Sequence, residues 1–284
     1  MIVSLNPCLD ADEYLLTGGK PLGREELKLI RRAQAVLLPP GCSRGLHAAC
    51  VEAGPALFPE YGPRFLFPGK VGQTSLFKRH CLPHPRTFIW QTSGAFLASL
   101  KENPRIHPRP FIVKQNFGHE GYGVFLIEDD SSLSAAMAAV AAGGSAEENA
   151  FITQDFVPPG GAALRIAIIG ARTISYWKRS RCPKDKIATI RRHAVIDSSW
   201  KPELQAVGTE LCKELSLRTG INLAAVDVVF PLQQPDPPPL LLEINYFFGR
   251  RGLGGSENYY HFLLEAVREW LSKRGLDPQR VRLA

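Results

Sequence analysis

Residues 240–249 read LLLEINYFFG, an apolar run interrupted near its end by Glu243 and Asn245. As a strand, its period-two alternation turns Glu243 and Asn245 to one side and Ile244 to the other. Upstream, residues 224–230 read AAVDVVF, an apolar run holding a single carboxylate, Asp227. A lone carboxylate in such a strand is costly unless something satisfies it. If the two strands are neighbours, Asp227, Glu243 and Asn245 converge as three hard oxygen ligands. Mg²⁺ favours such a set while it keeps other positions for water and phosphate. A structural reading is also open, with Asp227 capping a nearby amide and Glu243 paired to an arginine. Both runs are nearly all apolar, as a central buried pair should be, and the Pro-rich loop 231–239 joins them.

The pattern extends outward from this pair. Residues 203–219 are expected to form a helix with apolar positions at 204, 207, 211 and 215 and Gly220 as C-cap. Residues 259–274 form a closing amphipathic helix with Leu263, Ala266, Val267, Trp270 and Leu271 on one face, ending at Gly275. Strands are expected at 151–156, 164–169 and 173–178, the last two joined by a turn at Gly170. Further upstream, 111–114 and 124–128 make a hairpin around the glycine-containing turn 115–123, and 131–142 is an Ala-rich helix behind the cap region 129–132. Residues 70–82 and 94–100 read as helices flanking a strand at 87–90. At the front, strands at 1–6, 35–38 and 64–67 alternate with helices at 24–35 and 47–53, a small parallel α/β unit. Its 4–14 loop lacks a Gly-rich dinucleotide fingerprint.

Composition sets the frame for this order. A chain of 284 residues, 45% hydrophobic and 21% charged, can bury a sizeable core in one large or two to three small domains. Net charge is +7, a modest excess that suits a protein handling phosphate or carboxylate groups and equally permits nucleic-acid contact. The six cysteines (Cys8, Cys42, Cys50, Cys81, Cys182, Cys212) are far apart and form no CxxC pair, so they read as reduced thiols, mostly buried. The N-terminus lacks a signal-peptide pattern, and no apolar run reaches the ~18 residues that span a membrane. A cytoplasmic protein is expected.

Two further segments carry chemistry. In FIVKQNFGHEGYGVFLI, residues 111–127, Lys114 ends a strand as a compact positive charge and Gly118, Gly121 and Gly123 follow in a turn. Such a loop brings backbone N–H groups close to phosphate oxygens while the lysine neutralises them. The GK[ST] ending of a P-loop is absent, and a plain surface hairpin with glycines for turn geometry remains open. The second segment is a set of cations. Arg165 lies in the apolar strand ALRIAII, and Lys178 and Arg179 end TISYWKR. An arginine in an apolar strand has an anionic partner, and pairing across Gly170 would bring Arg165 near the 178–179 pair. A phosphate, a substrate carboxylate or Glu243 would each explain the cluster. Arg191, Arg192 and His193 read as a solvated face.

Taken in order, these segments resemble the ATP-grasp superfamily, specifically its glutathione-synthase and RimK-like branch of carboxylate–amine ligases, over residues 65–255. The resemblance implies an α/β fold with two lobes. A pre-ATP-grasp domain would cover 1–68 and an ATP-grasp domain 69–284, with a first lobe at 69–155 and a second at 156–284. KVGQTSLFKRHCLPHPRT, residues 70–87, resembles the segment whose lysine begins a helix, so Lys70 is implied as the first ATP-contacting lysine. Lys114 is implied as the second, with Gly118, Gly121 and Gly123 in the loop that covers the phosphates. QDFV, residues 154–157, resembles the hinge that holds adenine by backbone hydrogen bonds. There Gln154, Asp155 and Phe156 contact nucleotide, with Asp155 in the place of the family's Glu. Arg165 and Arg179 match the family's catalytic arginines, and Lys178 lies beside them as a nucleotide contact. Asp227, Glu243 and Asn245 match the Asp, Glu and Asn that bind Mg²⁺ or Mn²⁺.

The chain departs from the family pattern in three places. Ala163 stands where an acidic residue precedes the arginine by two positions. The R-x-N element is missing at Ile187–Thr189, where Lys184, Lys186, Arg191 or Arg192 could supply charge. Tyr246-Phe247-Phe248-Gly249 replaces a small-residue and proline turn.

The resemblance implies that ATP phosphorylates a small-molecule or peptide carboxylate and that an amine attacks the acyl phosphate. The cationic stretch RRGLGG, residues 250–255, is placed to hold a carboxylate of the second substrate. Two other classes stay open. One is a degenerate ATP-grasp protein that binds nucleotide as a regulator. The other is a nucleic-acid binder, for which the chain lacks a basic stripe interleaved with aromatics. Neither membrane nor nucleic acid is an expected partner, and the sequence names neither the acid, the amine nor the oligomeric state.

Overall fold

The computed structural model describes residues 1–118, 122–180, 195–234 and 236–284. The chain begins with β1 (Ile2–Ser4), β2 (Leu9–Asp10), β3 (Glu13–Tyr14), α1 (Arg24–Arg32), β4 (Ala35–Leu37), α2 (Arg44–Ala53), β5 (Ala56–Phe58) and α3 (Gly62–Leu66). Four of these strands form a parallel sheet in the order β3-β1-β4-β5. The strand expected at 64–67 is instead the end of α3, and β5 is the strand beside β4. Pro63 in the first turn of α3 accounts for this, since its fixed φ suits a helix start. Leu66 is left exposed there, without the burial a core strand would give it.

Next come α4 (Gly69–Arg79), β6 (Thr87–Trp90), α5 (Ser93–Glu102), β7 (Phe111–Gln115), β8 (Val124–Ile127), α6 (Asp130–Ala141), α7 (Ala146–Asn149) and β9 (Phe151–Asp155). The four strands make an antiparallel sheet in the order β6-β9-β7-β8. Its core of Phe96, Phe111, Val113, Ile127, Met137 and Phe151 lies under α5 and α6. Asp129 and Ser132 form a reciprocal capping box that starts α6.

The third sheet holds β10 (Ala162–Ile169), β11 (Arg172–Arg179), β12 (Val195–Asp197), β13 (Leu223–Val229) and β14 (Leu240–Asn245), with α8 (Pro202–Thr219) between β12 and β13. Its strand order is β12-β11-β10-β13-β14, all antiparallel. Leu164, Ile166, Val226, Val228 and Ile244 point to one face and pack with Leu211, Cys212 and Leu215 of α8. The chain closes with α9 (Ser256–Ser272) and β15 (Arg282–Leu283). Leu263, Val267, Trp270 and Leu271 of α9 share one core with Ile2, Ala35, Leu37 and Phe58, so the last helix covers the N-terminal sheet. β15 pairs with β2.

Among the described residues, Cys8, Cys42, Cys50, Cys81 and Cys212 are free. Cys42, Cys50 and Cys212 are buried, whereas Cys81 is exposed. Burial pushes the Cys42 thiol up to about 12 and the Cys50 thiol to about 11. Cys182 lies outside the described residues. Among the described residues no helix is long and apolar enough to cross a membrane.

Candidate active site

The site starts from strand register. In β10, β13 and β14, Arg165 stands opposite Asp227 and Asp227 opposite Glu243, so the three form one row across the sheet. Asn245 pairs with Ala225, two positions along on the same face. A register shift between Asp227 and Val228 bulges β14 beside Glu243, a common device for aiming side chains near a site. Lys178 of β11 reaches the same face.

The lone carboxylate in AAVDVVF is satisfied chiefly by a guanidinium. Arg165 grips Asp227 through two bonds, Nε to Oδ1 at 2.7 Å and Nη2 to Oδ2 at 2.6 Å. Lys178 Nζ adds a longer contact of 3.4 Å to Oδ1, and Asn245 Nδ2 donates to Oδ2 at 3.3 Å. Burial opposes the charge on Asp227, but Lys178 and Arg165 outweigh it and hold the carboxyl below its usual range. Burial likewise lowers Lys178, against the pull of Asp227. Glu243 makes no hydrogen bond or ion pair among the described residues.

The opposing side comes from α4 and β7. Lys70 and Lys114 are both buried, and the Glu243 carboxylate acts on both. Burial pushes the Lys114 ammonium down to about 8; Glu243 and Asp227 pull it up and Lys70 pushes it further down. Lys114 Nζ donates to Gln154 Oε1 at 2.8 Å, and Gln154 Nε2 donates to Thr87 Oγ1 at 2.9 Å. The Gln154 side chain therefore holds Lys114 in place. Lys70 Nζ donates to the carbonyl of Gly118 at 3.1 Å, which ties the first lysine to the glycine turn.

Asn116 sets the position of Lys70. Its main-chain carbonyl accepts from the Lys70 N–H at 2.9 Å and its Oδ1 from the Val71 N–H at 3.0 Å. Gly69 makes this possible, because it takes φ +66° and its Cα lies so close to Asn116 that any Cβ would collide with the amide. Gly123, at φ +71°, closes the turn by accepting the Gln115 N–H at 2.8 Å. Gln73, one helical turn from Lys70, bonds the main chain of Ile244 in both directions, at 2.9 and 2.8 Å. Sequence reasoning missed Gln73 and Asn116. For Gln73 the legible signal is its i+3 spacing from Lys70, which puts both on one helix face.

Other expected residues fall elsewhere. Arg179 is on the opposite face of β11 from Lys178, where its Nη1 bonds Asp197 at 2.8 Å and its guanidinium lies 4.6 Å from the Trp200 ring centre. Strand alternation separates it from Arg165, so the expected pairing of 165 with both 178 and 179 holds only for Lys178. The Asp155 side chain points away from Lys114, to Arg86 and His107. Phe156 is half-buried just past the end of β9. Gly121, Lys184, Lys186, Ile187–Thr189, Arg191, Arg192 and His193 lie outside the described residues.

The turn after Asn245 docks the N-terminal unit. Tyr246 meets Tyr61 edge-on at 6.2 Å, and the Arg64 guanidinium lies 4.9 Å from the Phe247 ring centre. This contact gives the departure from a small-residue turn a structural use. Further on, Phe248, Gly249, Arg250, Arg251, Gly255 and Ser256 line an open surface depression of about 470 Å³. Arg250 is fixed there by a 2.7 Å bond to Tyr260 Oη, while Arg251 is exposed.

Glu243 and Asn245 offer oxygen donors suited to a hard divalent cation, whereas both oxygens of Asp227 are already bonded by Arg165. Among the described residues no three His, Cys, Asp or Glu side chains gather as a metal site. Two carboxylates and one amide do gather, which suits a cation that also binds phosphate. The Asn245 amide donates to Asp227 and keeps its carbonyl oxygen for another partner.

Comparison with known proteins gives the family. The family model of the RimK-like ATP-grasp domain matches residues 70–253. A probable alpha-L-glutamate ligase of Xanthomonas oryzae pv. oryzae is 30% identical over 153 residues, covering 52% of this chain and 47% of that protein. The chain thus spans about half the length of the curated relatives it matches. Among solved structures, a RimK-domain ATP-grasp protein of Sphaerobacter thermophilus superposes with a TM-score of 0.58 at 18% identity, covering 92% of this chain and 97% of that one. VanG D-Ala:D-Ser ligase of Enterococcus faecalis superposes at 0.60 with 14% identity, covering 82% and 73%. At these identities the superpositions establish the fold, which is ATP-grasp.

Proposed function

This chain belongs to the RimK-like ATP-grasp family, and we propose that it uses Mg-ATP to join a carboxylate to an amine through an acyl phosphate. The observation that carries this reading is the row Arg165–Asp227–Glu243, with Lys70 and Lys114 within electrostatic reach of Glu243. Phosphoryl transfer needs charge neutralisation and alignment more than covalent help, which the two lysines, together with a cation held by the row's carboxylates, would supply. In this reading 1–68 is the pre-ATP-grasp domain, and the site lies between the lobes 69–155 and 156–284.

Lys70 and Lys114 neutralise phosphate oxygens, with Gly118 beside Lys70. The main chain at 154–157 holds the adenine. Glu243, Asn245 and Asp227 would hold Mg²⁺ or Mn²⁺. When bound, such an ion would supply charge neutralisation for phosphate oxygens. A carboxylate oxygen of the acid substrate attacks the γ-phosphorus, ADP leaves, and Arg165 and Lys178 meet the charge that develops. The amine then attacks the acyl carbon, loses a proton, and inorganic phosphate departs. The surface depression at Arg250 and Arg251 receives a carboxylate of the second substrate. The relatives named as glutamate ligases favour an amino acid or peptide as substrate.

The test is to trap the intermediate. The protein is incubated with ATP, Mg²⁺ and hydroxylamine against pools of amino acids, dipeptides and small carboxylic acids. Hydroxamate should form with selected pools in step with ADP. Tight Mg-ATP binding without hydroxamate from any pool would instead assign a regulatory nucleotide site.

A further inference from the structure

Strand β9 divides its side chains between two environments. Gln154 faces Lys114, while Thr153 and Asp155 face His107, which lies in the segment between α5 and β7. His107 is buried and sandwiched, stacked on Phe111 at 5.2 Å and edge-on to Phe88 at 5.2 Å. Its Nδ1 lies 2.5 Å from Asp155 Oδ1 and its Nε2 lies 2.7 Å from Thr153 Oγ1. Trp90 Nε1 donates to the same Thr153 oxygen at 2.9 Å.

The direction of this chain can be worked out from donor and acceptor chemistry. An indole N–H only donates, so Thr153 accepts from Trp90 and is free to donate its own proton to His107 Nε2. The ring proton then sits on Nδ1 and is donated to Asp155. Every group is satisfied with a neutral imidazole. Arg86 completes the clamp with two bonds to the same carboxylate, Nε to Oδ2 at 3.0 Å and Nη2 to Oδ1 at 3.2 Å. The Asp155 N–H in turn donates to the Arg86 carbonyl at 2.9 Å. Asp155 is thus held by side chain and main chain where β9 ends and the chain turns toward Phe156 and Val157.

We propose that His107 is a positioning residue for the nucleotide base: by clamping Asp155 it fixes the direction in which the 154–157 main chain leaves the sheet, and so the adenine contact. This rests on the reading of 154–157 as the adenine-holding segment. The phosphate-binding side chains lie on the other face of β9, so His107 governs recognition of the base and leaves binding of the phosphates alone.

The experiment compares two ligands by calorimetry in the presence of Mg²⁺: ATP, and inorganic tripolyphosphate, which has phosphates and no base. His107→Phe keeps the packing between Phe88 and Phe111 but removes both hydrogen bonds. His107→Asn restores a donor toward Asp155. Loss of a hydrogen bond to a charged group predicts about tenfold weaker ATP binding in His107→Phe, with tripolyphosphate changed by less than about twofold. His107→Asn should recover most of the loss. Arg86→Met alters the exposed arm of the same clamp, and should show the same selective loss even if His107→Phe does not fold. Equal weakening of both ligands, or unchanged ATP binding in His107→Phe or Arg86→Met, would overturn the proposal. Wild-type protein that binds ATP no better than tripolyphosphate would overturn the adenine reading itself, and the role of His107 with it.

Discussion

Gln73 on α4 holds the main chain of Ile244 by two hydrogen bonds, and Ile244 is the residue between Glu243 and Asn245. β14 is the edge strand of its sheet, so an amide side chain here takes the place of a neighbouring strand. Leu241 N–H is covered in the same way by the Pro83 carbonyl at 2.9 Å. The helix that carries Lys70 therefore also fixes the strand that carries Glu243 and Asn245.

Replacing Gln73 with Leu should loosen that link. Two hydrogen bonds are lost, and about 1–3 kcal/mol of stability should go with them. Affinity for Mg-ATP should fall as well, since Lys70 and Glu243 would no longer be held in register. Urea denaturation and nucleotide titration of the same variant measure the two effects.

Arg165 and Asp227 form a pair that cannot be halved without cost. Arg165→Met would leave Asp227 with only the longer contacts to Lys178 and Asn245, and breaking a largely buried pair in this way costs up to about 3–5 kcal/mol. Arg165→Lys should also lose activity, because an ammonium cannot make the forked contact to both oxygens. A melting-temperature loss in Arg165→Met much larger than in Arg172→Met, whose partner Glu265 is exposed, would bear this out.

Gly69→Ala should displace Lys70. At φ +66° alanine is strained, and its methyl would collide with the Asn116 amide that caps α4. The expected result is a loss of about 1–3 kcal/mol in stability, with weaker nucleotide binding. Gly249→Ala, which meets open space, serves as the control.

The depressed Lys114 gives a pH dependence whose sign follows from linkage. Burial is the largest cause, and the free protein loses this proton around pH 8. Phosphate oxygens favour the charged lysine, so its pKa rises when ATP binds. Below pH 8 the ammonium is already charged, and affinity should be flat with respect to this group. Above pH 8 binding must take up a proton, and affinity should weaken toward about tenfold per pH unit. Titrations at pH 7, 8 and 9 test this, and Lys114→Arg should remove the slope.

Much of this was legible in the sequence. The alternation in LLLEINYFFG and the single Asp in AAVDVVF put Asp227, Glu243 and Asn245 on one face, where register now places them. The hairpin around Lys114 and the Gly220 cap were equally plain. Apolar runs were less decisive at residues 64–67, where Pro63 favours a helix. The partner of Asp227 was hidden because cross-strand register, not spacing along the chain, brings Arg165 opposite it. Arg179 was misplaced by treating two adjacent strand residues as one cluster, although alternation sends them to opposite faces. Asn116 and His107 act through contacts distant in sequence, at separations that no local pattern encodes.

The most direct measurement is ADP release from ATP by the purified protein with Mg²⁺, run against pooled amino acids, dipeptides and small carboxylic acids. Wild-type protein is compared with Asp227→Asn and Lys114→Ala. The account predicts ADP with particular pools only, and its loss in both variants. ADP release that survives both substitutions, or that no pool elicits, would contradict a ligase site built on these residues.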